Sequence, residues 1–118
     1  MIVIDVNIPK PPSLNEFYAS KHWSFRKKAK DSYQAIFKAK VRKEDITSNL
    51  PIERYAITIN YNCRYDVDNT IMGIKFFADY LKKEGIVIED YNKYFRELKI
   101  TYSEDVPKNV FNLKLIKL

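Results

Sequence analysis

Residues 54–68 read RYAITINYNCRYDVD. Tyr55, Ile57, Ile59, Tyr61, Cys63, Tyr65 and Val67 alternate with Arg54, Ala56, Thr58, Asn60, Asn62, Arg64, Asp66 and Asp68. Period two over this length predicts a long strand, one face in a core and the other open to solvent or ligand. In such a strand Asp66 and Asp68 leave from the same side. The next segment, 69–84, has helical spacing, with Gly73, Phe77, Tyr80 and Leu81 on one stripe, and Gly85 supplies its stop.

Working outward, residues 1–8 alternate in the same way (Ile2, Ile4, Val6 and Ile8 against Val3, Asp5 and Asn7) and predict a first strand. Pro9, Pro11 and Pro12 end it, because proline lacks the N–H that a ladder requires. Residues 13–22 read as a loop. From a cap at Ser20 or Ser24, Phe25, Ala29, Tyr33, Ile36 and Phe37 form one apolar stripe of a helix reaching about Lys43. Residues 86–88 are a short apolar stretch leading into Glu89-Asp90. Segments 94–102 and 109–118 predict two closing strands around a Glu104-Asp105-Val106-Pro107 turn. The expectation is one α+β domain over residues 1–118, with a mixed sheet of about four strands and two helices in the order β-α-β-α-β-β.

An apolar fraction of 46% and only two glycines argue against a disordered or linker-rich chain. No stretch approaches the ~20 apolar residues of a membrane span. Asp5 interrupts the first apolar run and no basic region precedes it, so it does not read as a signal peptide. Cys63 is the sole cysteine and His22 the sole histidine, which excludes an internal disulfide, a cysteine zinc site and a histidine pair. A soluble, cytoplasmic protein is the expectation. Cys63 reads as a core thiol, His22 as a surface residue, and Tyr55, Tyr61 and Tyr65 as core aromatics.

The net charge of +6 is unevenly placed. Segment 20–43 holds nine Lys or Arg against one acid, Asp31, leaving a net −2 for the rest. With Trp23 and Phe25 beside it, such a segment suits a polyanion, since each neutralised phosphate releases counterions. Lys21, Arg26, Lys27, Lys28, Lys30 and Arg64 are the candidate DNA contacts, positioning charges that read no sequence. The plainer reading is a solvated helix face.

Asp66-Val67-Asp68-Asn69 sets two carboxylates at i and i+2 before a helix. Two like charges this close repel unless a cation intervenes, and Mg²⁺ takes one or two carboxylates plus water and phosphate. That chemistry fits phosphodiester hydrolysis. A simple helix cap at Asp68 or Asn69 is the alternative. Lys75 and Asp79 share a helix face, either as an ordinary i, i+4 pair or with Lys75 offsetting phosphate charge. Glu89-Asp90 is either a solvated acidic turn or the source of a third carboxylate.

Three pieces in order carry a resemblance. Pro12-Ser13-Leu14-Asn15 with the basic 23–28 segment resembles the N-terminal P-S-x-N region of RusA-type Holliday junction resolvases. Arg64-Tyr65-Asp66-Val67-Asp68-Asn69 is similar to their D-x-D-N signature. Lys75, Asp79, Leu81 and Glu89-Asp90 resemble their K-x-x-x-D-x-L helix and the paired acids after it. The likeness spans residues 11–100.

The resemblance implies that Asp66, Asp68 and Asp90 bind Mg²⁺, with Mn²⁺ substituting, that Lys75 assists catalysis, and that Asp79 and Asn69 support the site. It implies a homodimer nicking two strands of a four-way junction symmetrically, leaving 5′-phosphate and 3′-hydroxyl ends in recombination and repair. A bacterial, phage or prophage setting also follows from it alone. One departure stands out. The usual lysine lies three residues after the asparagine, where this chain has Met72, and Lys75 comes three residues later. Either the helix starts at Asn69 and the ammonium is displaced, or residues 70–72 extend the loop and Lys75 regains its place. A non-catalytic basic DNA-binding module and a nuclease preferring flaps or other branched DNA are the competing accounts. Should Asp66 and Asp90 fall on opposite sides of the fold, only the basic binder remains.

Overall fold

The computed structural model describes residues 1–19 and 22–118. Four strands, β1 (Ile2–Pro9), β2 (Tyr55–Asn62), β3 (Phe95–Tyr102) and β4 (Val110–Lys117), form one mixed sheet in the order β1-β4-β2-β3. β4 pairs antiparallel with both β1 and β2, whereas β2 and β3 run parallel. The helices are α1 (Leu14–Ala19), α2 (Trp23–Lys40) and α3 (Ile71–Lys83). The expected single α+β domain with a four-stranded mixed sheet is therefore what forms, with one helix more than predicted.

Alternation decides the sheet's faces. Ile4, Val6 and Ile8 of β1, Tyr55, Ile57, Ile59 and Tyr61 of β2, and Phe111, Leu113 and Leu115 of β4 are all buried. They join Phe37 of α2 and Phe76, Phe77 and Leu81 of α3 in one core. Phe37 packs on Phe77 and Tyr80 at ring-centroid distances of 5.3 and 5.6 Å. α3 approaches the sheet closely because Gly73 has no Cβ: an added one would lie 3.1 Å from Phe111 Cδ2. At the other end of α3, Gly85 takes φ +71, the left-handed backbone of a helix stop.

The two sheet edges differ. Along β1, carbonyls are capped by side chains of α2: Lys40 Nζ donates to Asn7 O at 2.6 Å, and the Tyr33 hydroxyl lies 3.1 Å from Pro9 O and 2.7 Å from Lys10 O. β3 is exposed along most of its length.

Three local expectations need correction. The segment 13–22 is not all loop. Ser13 Oγ accepts from Glu16 N–H at 3.1 Å and so starts α1, half of a capping box. α2 begins after His22 with no side-chain cap hydrogen bond and ends at Lys40, so Ser24 lies inside the helix and does not cap it; Ser20, the other expected cap, lies outside the described residues. Lastly, β2 stops at Asn62, whose ladder partner Val110 is the first residue of β4, while β3 ends opposite Tyr61. With no neighbour to pair with, residues 63–66 leave the sheet despite their alternation, and the Tyr61 hydroxyl donates to Tyr65 O at 3.0 Å.

Candidate metal centre and nucleic-acid surface

Beyond β2 the chain makes a 3-10 turn at Val67–Thr70 and passes straight into α3. Asp66 is the extended residue before that turn (φ −66, ψ 157) and Asp68 lies within it. The turn is held by Asn69 N–H donating to Asp66 O at 2.9 Å and the Thr70 hydroxyl donating to Val67 O at 2.6 Å. Strand alternation therefore does not set the directions of Asp66 and Asp68; a turn does. Both carboxylates are exposed beside the C-terminal end of β2. Burial, then Cys63, Asp66, Tyr102 and Asp68, raise the Tyr61 hydroxyl above its ordinary range, so both acids lie within electrostatic reach of that ring.

α3 starts at Ile71, not Asn69, so Thr70 belongs to the turn while Met72 is already helical. Lys75 sits in the second turn of α3. Its Nζ donates to the Tyr18 hydroxyl at 3.2 Å and stands 5.6 Å from that ring's centroid. Tyr18, on α1, thus anchors the lysine near the helix's start. Asp79 lies further along, in a groove with Lys30, Gln34, Lys82 and Lys83 between α2 and α3.

Asp90 is elsewhere. After α3 the chain bridges Val87 to Ile52 and reaches the start of β3. Tyr55, the first residue of β2, donates its hydroxyl to Glu89 O at 2.7 Å. Burial pushes that hydroxyl far up, and the charges of Asp90 and Glu89 add to the shift. Lys82 Nζ lies 3.2 Å from Glu89 Oε2 and 3.9 Å from Asp90 Oδ1. Tyr55 and Tyr61 are six residues apart on β2, about 20 Å at the usual strand rise. The cause is topological. Because β2 and β3 are parallel, the residues that leave β2 and those that enter β3 lie at opposite ends of the sheet.

The expected meeting of Asp66, Asp68 and Asp90 within one chain is thus overturned. Among the described residues no group of three or more His, Cys, Asp or Glu is placed to hold a metal ion. Asp66 and Asp68 fit a Mg²⁺ site of the two-carboxylate kind, which completes its shell with water and phosphate, and do not make an all-protein cage.

The basic surface follows α2. Trp23 is 69% exposed and borders a groove of about 500 Å³ with Phe17, Arg26, Lys27, Lys30 and Asp31. Arg26 Nε is buried there without a hydrogen-bond partner, and Lys27 Nζ pairs with Asp31 at 2.8 Å. Lys28, Lys30 and Arg64 are exposed; Lys21 lies outside the described residues. α1 connects the two regions, with Phe17 in the basic groove and Tyr18 on Lys75. Reading residues 13–22 as loop hides Tyr18, although Ser13-Leu14-Asn15-Glu16 carries the S-x-x-E signal of a helix start. Lys82, which holds Glu89 and Asp90, has no comparable signal.

No helix among the described residues is long and apolar enough to cross a membrane. No family model matches the chain, and no curated protein matches it.

Proposed function

We propose that this protein is a divalent-cation-dependent endonuclease acting on branched DNA, with Asp66 and Asp68 as a two-carboxylate metal site; the criterion that leaves only a basic binder when Asp66 and Asp90 part presumes a three-acid centre, which this reading gives up. The observation that carries this reading is the clustering around α1: the Asp66–Asp68 turn, Lys75 clasped by Tyr18, and the groove of Trp23, Arg26 and Lys30 all border that short helix. The resemblance of residues 11–100 to RusA-type resolvases supports the same chemistry and favours the four-way junction as substrate. A bound Mg²⁺ would supply charge neutralisation and an activated water. The chain's own groups do the remainder. Lys28 and Lys30 hold the DNA backbone, Trp23 offers a ring for an unstacked base, and Lys75 offsets charge developing on the attacked phosphate.

Purified protein should nick a synthetic four-way junction only with Mg²⁺ or Mn²⁺. Asp68→Asn should abolish nicking, leave junction binding intact or tighter, and weaken Ca²⁺ uptake in a calorimetric titration without DNA. Nicking unchanged by Asp68→Asn would overturn the assignment. A second reading, a basic module that binds branched DNA without cutting it, is favoured by the remoteness of Asp90 in the single chain. It requires that Ca²⁺ uptake not depend on Asp66 and Asp68. Linear duplex and flap substrates beside the junction separate a resolvase from a nuclease of other branched DNA.

A further inference from the structure

The Tyr18 hydroxyl is bonded in the opposite sense from its neighbours. Lys75 Nζ donates to it at 3.2 Å, so its oxygen serves as an acceptor and its own O–H is left over. The Tyr61 hydroxyl instead donates to Tyr65 O at 3.0 Å, the Tyr65 hydroxyl to Pro11 O at 2.9 Å, and the Thr70 hydroxyl to Val67 O at 2.6 Å. The Tyr102 hydroxyl donates to Asn62 Oδ1 at 3.4 Å. Among the described tyrosines about the Asp66–Asp68 turn, Tyr18 is therefore the one whose hydrogen is uncommitted, and the side chain is 53% exposed. Phenols belong to the side chains that serve as general acids.

Two helices bring this hydroxyl to the candidate centre. Helical side chains lean toward the N-terminus of their helix, so Lys75, one turn past Ile71, reaches back toward the 3-10 turn that carries Asp68. α1 packs on that same turn. Tyr18 is also held from behind: buried Phe17 meets its ring edge-on at 5.3 Å and the Phe76 ring of α3 at 5.8 Å. The Lys75 ammonium, 3.2 Å from the phenol oxygen, stands where negative charge on that oxygen is offset. Phosphodiester hydrolysis has a use for such a pair. Breaking the bond from phosphorus to the leaving oxygen puts an electron pair on that oxygen, which departs as an alkoxide unless a proton arrives. Ionised Asp66 and Asp68 have no proton to give, and the Arg64 guanidinium does not release one.

We infer that Tyr18 is the general acid of this centre, donating its O–H proton to the oxygen that leaves phosphorus. The inference rests on the nuclease reading above and adds to it a residue lying between the pieces of sequence that carry the resemblance. The step balances. A water adds to phosphorus and gives one proton to solvent. The bond from phosphorus to the leaving oxygen breaks with its electron pair staying on that oxygen, which takes the Tyr18 proton and departs as a hydroxyl. The phenolate, held against the Lys75 ammonium, regains its proton from solvent.

Sulfur in place of the leaving oxygen tests it, because a thiolate departs readily without a proton. Where nicking leaves 5′-phosphate ends the leaving atom is the 3′-oxygen, and where it leaves 3′-phosphate ends it is the 5′-oxygen. The probe is a four-way junction with one bridging sulfur at that atom, set beside the all-oxygen junction, both in Mn²⁺. Tyr18→Phe keeps the ring beside Lys75 and removes only the hydroxyl. Single-turnover rates at saturating protein keep binding out of the comparison. On the oxygen junction Tyr18→Phe should nick about a hundredfold or more slowly than wild type. On the sulfur junction the two proteins should match. Equal slowing on both junctions would make the hydroxyl only an anchor for Lys75 and overturn the assignment, with the nuclease reading intact. Tyr18→Phe at wild-type speed on oxygen would overturn it as well. Wild type that nicks neither junction would overturn the nuclease reading and the general acid together.

Discussion

Tyr65 shows how much one hydroxyl can connect. It donates to Pro11 O at 2.9 Å and stands 3.3 Å from Glu16 Oε1, tying the loop before Asp66 to the N-terminal segment. Burial, with Glu16 adding to it, pushes this phenol up to about 12, and burial alone does the same to Tyr33. Each group is raised above its unfolded value, so its contribution is complete below pH about 10 and is lost as pH rises toward about 12. The urea midpoint should therefore fall between those limits, and Tyr65→Phe should make that fall shallower. An unchanged slope would trace the pH dependence to other groups. The burial of Tyr55 and Tyr61 and the partial burial of Tyr65 were legible from period two alone. Their hydroxyl partners were not, because Pro11 lies 54 positions from Tyr65 and only the folded chain brings it near.

Among the elements, α3 is the one whose position depends on a single missing atom. A Cβ at Gly73 would lie 3.1 Å from Phe111 Cδ2 and 3.3 Å from Pro11 Cγ, and Phe111 is fully buried. Gly73→Ala gains about 1 kcal/mol of helix propensity but overpacks the core at a cost of roughly 1–3 kcal/mol. The net expectation is a loss of up to about 2 kcal/mol, read from urea unfolding, whereas a gain would mean that Phe111 yields readily. α3 and its Gly85 stop were legible in the helical spacing of residues 69–84. The end of β2 was not, since alternation continues to Asp68 while the neighbouring strands run out at Tyr102 and Val110. The place of Asp90 was contained in the sequence but easily missed. A strand, a helix of 13 residues and a second strand return the chain to the beginning of the first, so the acids before β3 end far from those after β2.

On the scale of the molecule, charge is segregated: the α2 surface is strongly basic, and Asp66 and Asp68 lie across α1 from it. Such a surface would bind the proposed DNA partner largely through counterion release. Junction affinity should fall steeply with salt, and Lys28→Ala or Lys30→Ala should each reduce the slope of log K against log salt by about 1. Slopes equal to wild type would remove α2 from the DNA interface. The basic segment announced itself in composition, whereas the bridging place of α1 needed the fold.

The capped rim of β1 limits where a further strand could add. Lys40 and Tyr33 occupy the carbonyls of Asn7, Pro9 and Lys10, and Pro9 has no N–H to give, so the C-terminal part of that edge offers little to an incoming strand.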